Sequence, residues 1–346
     1  MEAGVTVDQS WPGEPWPVIG KLLGEEQPDG RIDKSQNVSG IASTQLEGAV
    51  RYGLVIDDES QATQLVMVER QHLKVGATIR LIDDVNKKGH PLELDGEGVA
   101  YADGHFYVVG SHGHPRDKEK RLDPGRDAEI IRRRTVASSR LVRIALTEAD
   151  IKAGFGQEQL DATFAQTGRL RTVLSREPLL APFLSRPLDE NGLTIEGLVA
   201  RHDRLYVGLR APSLGGDAAA VLSVKAAAIF TDTDEVAPEL HLLRLGPGRG
   251  VRDLAASPWG ALVLAGPSGE VPGPYSIYHW DYGATLELVG EIPSVPGKAP
   301  RKPEALLYLT SEASSAWVLV LFDGGKEGEP RPLRIRLPSG LAAVGG

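Results

Sequence analysis

The chain has 346 residues, a formal net charge of −9, 40 glycines, 24 prolines and no cysteine. That length allows one large domain or two ordinary ones, and 41% hydrophobic residues suffice for a sizeable core, which excludes an intrinsically disordered chain. The acidic balance excludes a general nucleic-acid binder, because phosphate backbones are held by Lys and Arg, and the missing cysteines exclude disulfides, thiolate-ligated zinc and thiol catalysis. Met1 to Pro17 lacks the basic start and apolar stretch of a signal peptide, and the longest hydrophobic run, Ala316 to Phe322, is too short to cross a bilayer. A soluble, cytoplasmic protein without a membrane partner is expected.

Taken in chain order, one short pattern recurs five times: Val38-Ser39-Gly40-Ile41-Ala42, Gly96-Glu97-Gly98-Val99-Ala100, Ile195-Glu196-Gly197-Leu198-Val199, Arg252-Asp253-Leu254-Ala255 and Pro303-Glu304-Ala305-Leu306. Each copy is an acid or Ser, a small residue and two apolar residues. A second apolar run follows each one: Tyr52 to Asp57, His105 to Gly110, Leu205 to Gly208, Ala261 to Gly266 and Trp317 to Asp323. Both runs have strand length and turn flanks, so each unit opens as a hairpin. Third and fourth strands are expected at Gln64 to Val68 and Thr78 to Ile82, Ala219 to Val224 and Leu240 to Leu245, and Ser276 to Trp280 and Thr285 to Val289.

The copies lie about 50–60 residues apart, with one interval of about 100, and such periods fit the four-stranded blades of a β-propeller. The expected fold is therefore all-β, with five visible blades at 37–340. A sixth blade is an alternative if both chain ends contribute to one. The long interval is read as one blade with a charged loop insertion at 111–137 and a short helix within Thr147 to Thr167. Residues 1–36 form an N-terminal segment from which a strand, within Val5 to Leu23, is expected to join the last blade and close the ring. A β-sandwich followed by a second β domain would explain the strands but not the repeated motif.

The strings Asp95-Gly-Glu-Gly-Val-Ala100, Val109-Gly-Ser-His-Gly113, Ile195-Glu-Gly-Leu198, Val207-Gly-Leu-Arg-Ala-Pro212, Leu264-Ala-Gly-Pro267 and Lys302-Pro-Glu-Ala305 resemble a bacterial propeller family catalogued as domain of unknown function 3616. A more distant likeness is to the esterase-like domain of some phytases. The first resemblance implies a fold and no activity. The second implies hydrolysis of phosphoesters or esters with a bound divalent cation.

In an antiparallel blade the second strand ends on the face where the first begins. Glu97, Glu196, Asp253 and Glu304 should therefore share one opening with Ser111, His112, Arg210 and Asp323. Four carboxylates there repel one another unless an oxygen-seeking cation such as calcium, or Arg210, Arg252 and Lys302, offsets them. These four acids are thus candidate metal ligands, and together with His112, Arg210, Arg252 and Lys302 they are candidate ligand-binding residues. Alternatively the acids accept backbone amides and lock blade to blade, as fixed positions in repeat proteins commonly do.

The insert Arg116 to Arg134 carries eight basic residues against five acids, and Arg132, Arg133 and Arg134 are candidates for holding an anionic ligand or an acidic partner segment. The alternative is a solvated loop. His112 and His114 have a metal-like spacing but no third local ligand. Gly246-Pro-Gly-Arg-Gly250 superficially resembles a nucleotide loop, yet a repeat copy follows where a helix should start, so it reads as a turn. With no compact catalytic motif, the chain reads as a non-catalytic recognition or scaffold propeller, binding a protein segment or small anionic ligand at its acid-lined opening. A metal-assisted hydrolase of phosphoesters, esters or lactones is the alternative.

Overall fold

The computed structural model describes residues 11, 13–44, 50–116, 121–295 and 301–340. A short strand β1 (Val18–Ile19) and a hairpin of β2 (Leu23–Glu26) and β3 (Ile32–Lys34) precede five blades. Blade 1 holds β4 (Val38–Ser43), β5 (Arg51–Asp57), β6 (Ala62–Glu69) and β7 (His72–Arg80). Blade 2 holds β8 (Gly96–Ala102), β9 (His105–Gly110), β10 (Leu141–Ala145) and β11 (Phe164–Thr167), with helix α1 (Ala128–Ser138) inserted before β10 and α2 (Glu148–Gly154) before β11. Helix α3 (Arg169–Arg176) leads to blade 3, β12 (Thr194–Arg201), β13 (Arg204–Ala211), β14 (Ala218–Lys225) and β15 (Glu239–Arg244). Blade 4 is β16 (Arg249–Ser257), β17 (Gly260–Pro267), β18 (Ser276–Trp280) and β19 (Leu286–Glu291); blade 5 is β20 (Lys302–Ser311), β21 (Ser315–Asp323) and β22 (Arg331–Arg336).

The first strands β4, β8, β12, β16 and β20 pack side by side in a ring, each against the next and β20 against β4. Five apolar clusters fill the wedges between neighbouring blades. The last of these sets Ala305, Leu307, Leu319 and Leu321 of blade 5 against Val38, Ile41, Val55 and Val66 of blade 1, so the ring closes by burying apolar surface between its first and last blades. The inner strands approach so closely that Gly98 has no room for a side chain: a Cβ there would lie 2.8 Å from Leu198 Cβ and 2.9 Å from Leu198 N. Gly98→Ala is expected to lower stability by about 1–3 kcal/mol, the usual range for overpacking, as measured by urea unfolding; an unchanged midpoint would contradict this packing.

Three expectations need correction. Among the described residues of the Val5 to Leu23 span, no strand joins the last blade: β1 adds in parallel to β7, on the outer edge of blade 1, and blade 5 has three strands among the described residues. Residues Val5 to Ser10 lie outside the described residues. The segment still clasps blade 5, through Trp16 N to Pro330 O at 2.7 Å, Glu327 N to Ser35 O at 2.8 Å and an antiparallel bridge between Asn37 and Asp323. Pro15 and Pro17 flank Trp16 and cannot donate, so this stretch offers single bonds rather than a ladder.

The insert is also not a plain loop. Its second half is α1, whose end is buried at Ala137 and Ser138. Within α1, Arg132 and Arg133 both bond Glu129, one turn back, while Arg134 Nη1 donates to Arg116 O at 2.6 Å. Asp117, Lys118, Glu119 and Lys120 of the insert lie outside the described residues. Finally, the fourth expected strand of blade 1 starts earlier than Thr78, at His72, because Gln71 takes the turn with a positive φ. Among the described residues, no helix is long and apolar enough to cross a membrane.

Candidate functional site at the polar opening

In all five blades the pairing of first and second strands shifts register at the motif: between Val38 and Gly40, Gly96 and Gly98, Ile195 and Gly197, Val251 and Asp253, and Pro303 and Ala305. Each shift leaves one residue of the first strand unpaired, and such bulges re-aim side chains. The unpaired residues are Ser39, Glu97, Glu196, Arg252 and Glu304. The equivalent of the motif acid in blade 4 is thus Arg252, and Asp253 takes the place of the small residue. In the sequence pattern Asp253 stands for the motif acid, but in the structure it follows the bulge by one position.

The one-residue shift changes the electrostatics. Arg252, only 1% exposed, sits between two glutamates of the flanking blades: its Nε lies 2.9 Å from Glu196 Oε2 and its Nη2 bonds Glu304 Oε1. Glu196 also receives Arg210 Nη1 at 2.9 Å. Burial lowers the pKa of Arg252, but Glu196 and Glu304 outweigh it and hold the guanidinium charged. Burial raises Glu304 to about 7 despite Arg252. Asp253 faces the backbone instead, accepting Leu254 N and, across the blade boundary, Leu306 N, both at 2.7 Å. That latch is the blade-to-blade lock, and it exists at Asp253.

Glu97 is different. It has neither a hydrogen bond nor an ion pair to any described residue, and it converges with Asp58 and Asp95, each offering an oxygen within 4.8 Å of the others. Asp58 follows the second strand of blade 1, and Asp95 directly precedes β8 with φ +53°. Asp95 accepts a hydrogen bond from Ser111 Oγ, which in turn accepts Gly113 N at 3.1 Å. Asp58 Oδ1 is buried with no hydrogen-bond partner among the described residues. Burial, then mutual repulsion with Asp57, Asp95 and Glu304, pushes Asp58 well above the usual carboxylate range; burial and the charges of Glu196, Asp95 and Asp58 do the same to Glu97. Burial also raises Asp95, although Ser111 and Arg116 pull it down.

The remaining candidates separate. Lys302 pairs with Asp323 at 2.7 Å. His112 is fully buried, its Nδ1 donating to Gly110 O at 2.9 Å, and burial lowers its pKa to about 4. It forms no cluster with His114, whose Nδ1 bonds Pro115 O at 3.0 Å. The Arg132 to Arg134 run is tied into α1 and Arg116, while Arg116 itself reaches the opening and meets Glu270 at 2.8 Å. Asp58 and Asp95 escaped the sequence reading. One signal was available: Asp58 stands after its second strand as Ser111, Arg210 and Asp323 stand in or after theirs.

These features define a five-bladed β-propeller with one opening lined by carboxylates and arginines. The family of proteins of unknown function designated DUF3616 matches residues 41–331, and the chain belongs to it. The family match bears out the first resemblance and says nothing of the phytase likeness. No curated protein matches the sequence. Similar solved structures include a Bombyx mori GH32 β-fructofuranosidase at 10% identity and TM-score 0.39, where the match covers 94% of this chain and 62% of that one. A thermostable family-43 glycoside hydrolase is 12% identical at TM-score 0.39, covering 96% of this chain and 95% of that one. A β-xylosidase is 12% identical at TM-score 0.37, covering 88% and 93%. Likeness this remote carries no argument about chemistry.

Proposed function

We propose that the chain is a recognition propeller whose polar opening holds a divalent cation between Asp58, Asp95 and Glu97 and uses it to bind a small anionic ligand. The observation that supports this is the contrast around the ring. Glu196 and Glu304 are paired with Arg252 and Arg210, and Asp253 is hydrogen-bonded by backbone amides, whereas among the described residues these three carboxylates have no bonded cation and Asp58 keeps a buried oxygen without a partner. All-oxygen ligation suits calcium or magnesium. An ion about 2.3–2.6 Å from each oxygen can serve ligands as far apart as these. Of the four acids first considered as metal ligands, only Glu97 belongs to this set.

The test is calorimetric titration of the chelator-treated protein with calcium. Saturable one-to-one binding is expected in the wild type, lost in Asp58→Asn and in Glu97→Gln and kept in Glu312→Gln, in the turn between β20 and β21 at the opposite end of the strand from Glu304. A wild type that binds neither calcium, magnesium nor manganese would overturn the reading. The hydrolase alternative draws on one feature: three carboxylates leave about half of a six- to eight-coordinate ion free for water or substrate. Calcium-dependent turnover of phosphoesters, esters or lactones that disappears in Asp58→Asn would make it the better description.

A further inference from the structure

Above the carboxylates, one feature is explained neither by the ring nor by the cation. The connection between β17 and β18 runs Pro267-Ser-Gly-Glu-Val-Pro-Gly-Pro274 and leans from blade 4 over the opening. At its tip, a single oxygen of Glu270, Oε1, lies 2.8 Å from Arg116 Nη1 of blade 2 and 3.4 Å from Arg210 Nη2 of blade 3. Arg210 is anchored from below by Glu196 and from the side by Gly269 O at 2.9 Å, and its buried Nε has no hydrogen-bond partner among the described residues. Burial raises the Glu270 carboxyl, but Arg210, Arg116, Lys302 and Arg252 together hold it below the usual range. A carboxylate is thus drawn into a field of four cations contributed by blades 2, 3, 4 and 5.

The hold is weak. The Glu270 side chain is half exposed, Val271 is 80% exposed, and a Cβ at Gly269 would meet nothing within 4 Å. The Arg116–Glu270 pair is exposed on both sides, and such pairs contribute about 0–1 kcal/mol, so an external oxyanion can displace Glu270 from Arg116 and take its place beside Arg210 Nη2. A phosphate has the advantage over a carboxylate, since it offers three oxygens and close to two charges where Glu270 offers one oxygen to two arginines.

We propose that Arg116 and Arg210 form a phosphate seat that Glu270 occupies in the free protein, and that a phosphate-bearing small molecule binds by displacing it. The seat deepens the reading of this opening as a ligand site but does not depend on the cation. It also gives the cation a second role: neutralising Asp95 and Glu97 would remove the repulsion that those carboxylates exert on an arriving dianion.

The test uses methylphosphonate above its second pKa, where it is a dianion with no ester bond to hydrolyse, titrated calorimetrically against the full chain in excess chelator and again in calcium. Glu270→Gln removes the competing charge and is expected to bind at least tenfold more tightly than wild type, in chelator as in calcium. Adding Arg116→Gln to that variant should abolish the gain, with melting temperatures confirming that both variants fold. Tightening by calcium in the wild type would support both readings, whereas a gain in Glu270→Gln without any calcium effect would support the seat alone. Equal affinity in Glu270→Gln and wild type, or a gain that survives Arg116→Gln, would overturn the seat. Acetate competing as well as methylphosphonate would overturn the preference for phosphate.

Discussion

Replacing Arg252 by Met is expected to destabilise the propeller by about 3–5 kcal/mol, the range found when one partner of a buried charge network is removed. The cause is what remains. Glu196 is 4% exposed and Glu304 7%, and both take their positive partner from Arg252, which is itself 1% exposed. Without the guanidinium, the cation left to act on Glu304 is Lys302, and Lys302 already serves Asp323. Arg210 continues to hold one oxygen of Glu196, which limits the damage on that side. Urea unfolding at pH 7.5 measures the loss. The triple variant Arg252→Met with Glu196→Gln and Glu304→Gln should recover much of it, because it removes the stranded charges along with their counter-ion. A single variant as stable as wild type would show that the network is not what joins blades 3, 4 and 5.

The repeat was legible because the ring imposes the same demands five times. At each inner strand a bulge turns one side chain out of the ladder; in every blade but the fourth, where Asp253 stands, a small residue follows, and apolar residues then enter the wedges between blades. Those demands are local in sequence, so Gly98 and Gly197 repeat visibly. The insert was legible as an insert and not as a helix, since α1 buries only its last residues, Ala137 and Ser138, and its arginines and Glu129 form the exposed pairs of a solvated face.

The carboxylate cluster was only one-third legible, for a physical reason: its members come from the end of β5, the approach to β8 and the bulge within β8, and only the bulge belongs to the repeated pattern. Which acids are neutralised was not legible either. Pairing depends on the side on which Arg252 and Arg210 flank Glu196, and that follows from the order of the blades around the axis rather than from spacing along the chain. For the same reason Glu196→Gln, the natural variant to try from sequence, would disturb the arginine network and leave the proposed ion site intact.

The second large effect is on pH. In the metal-free protein, stability is expected to fall as pH rises from about 5 to 7.5. Burial holds Glu304 at about 7 and Asp57 at about 6, against ordinary values of 4.5 and 3.8, and it pushes Asp58, Glu97 and Asp253 up as well. Between the unfolded and folded values the native chain keeps protons that the unfolded chain has released, so the slope of unfolding free energy against pH is negative. Glu304 alone contributes a loss on the order of 3 kcal/mol across its window.

His112 works in the opposite sense. Its pKa is lowered to about 4, so below its ordinary 6.5 the unfolded chain binds the extra proton and stability rises with pH. His112, and His241, which burial also lowers, stand against six raised carboxylates, Asp95 included, and the net slope stays negative. Exposed acids such as Glu129, which Arg132 and Arg133 hold at about 2, act only below about pH 4.5 and do not enter the window. A cation between Asp58, Asp95 and Glu97 would displace protons from these groups as it binds, so calcium should stabilise the protein more at pH 7.5 than at pH 5 and flatten the profile. Urea midpoints at the two pH values, in chelator and in calcium, decide the matter. Stability in chelator that rises steadily from pH 5 to 7.5 would mean that these carboxylates are ionised without a cation, and that the arginines of the ring already neutralise them all.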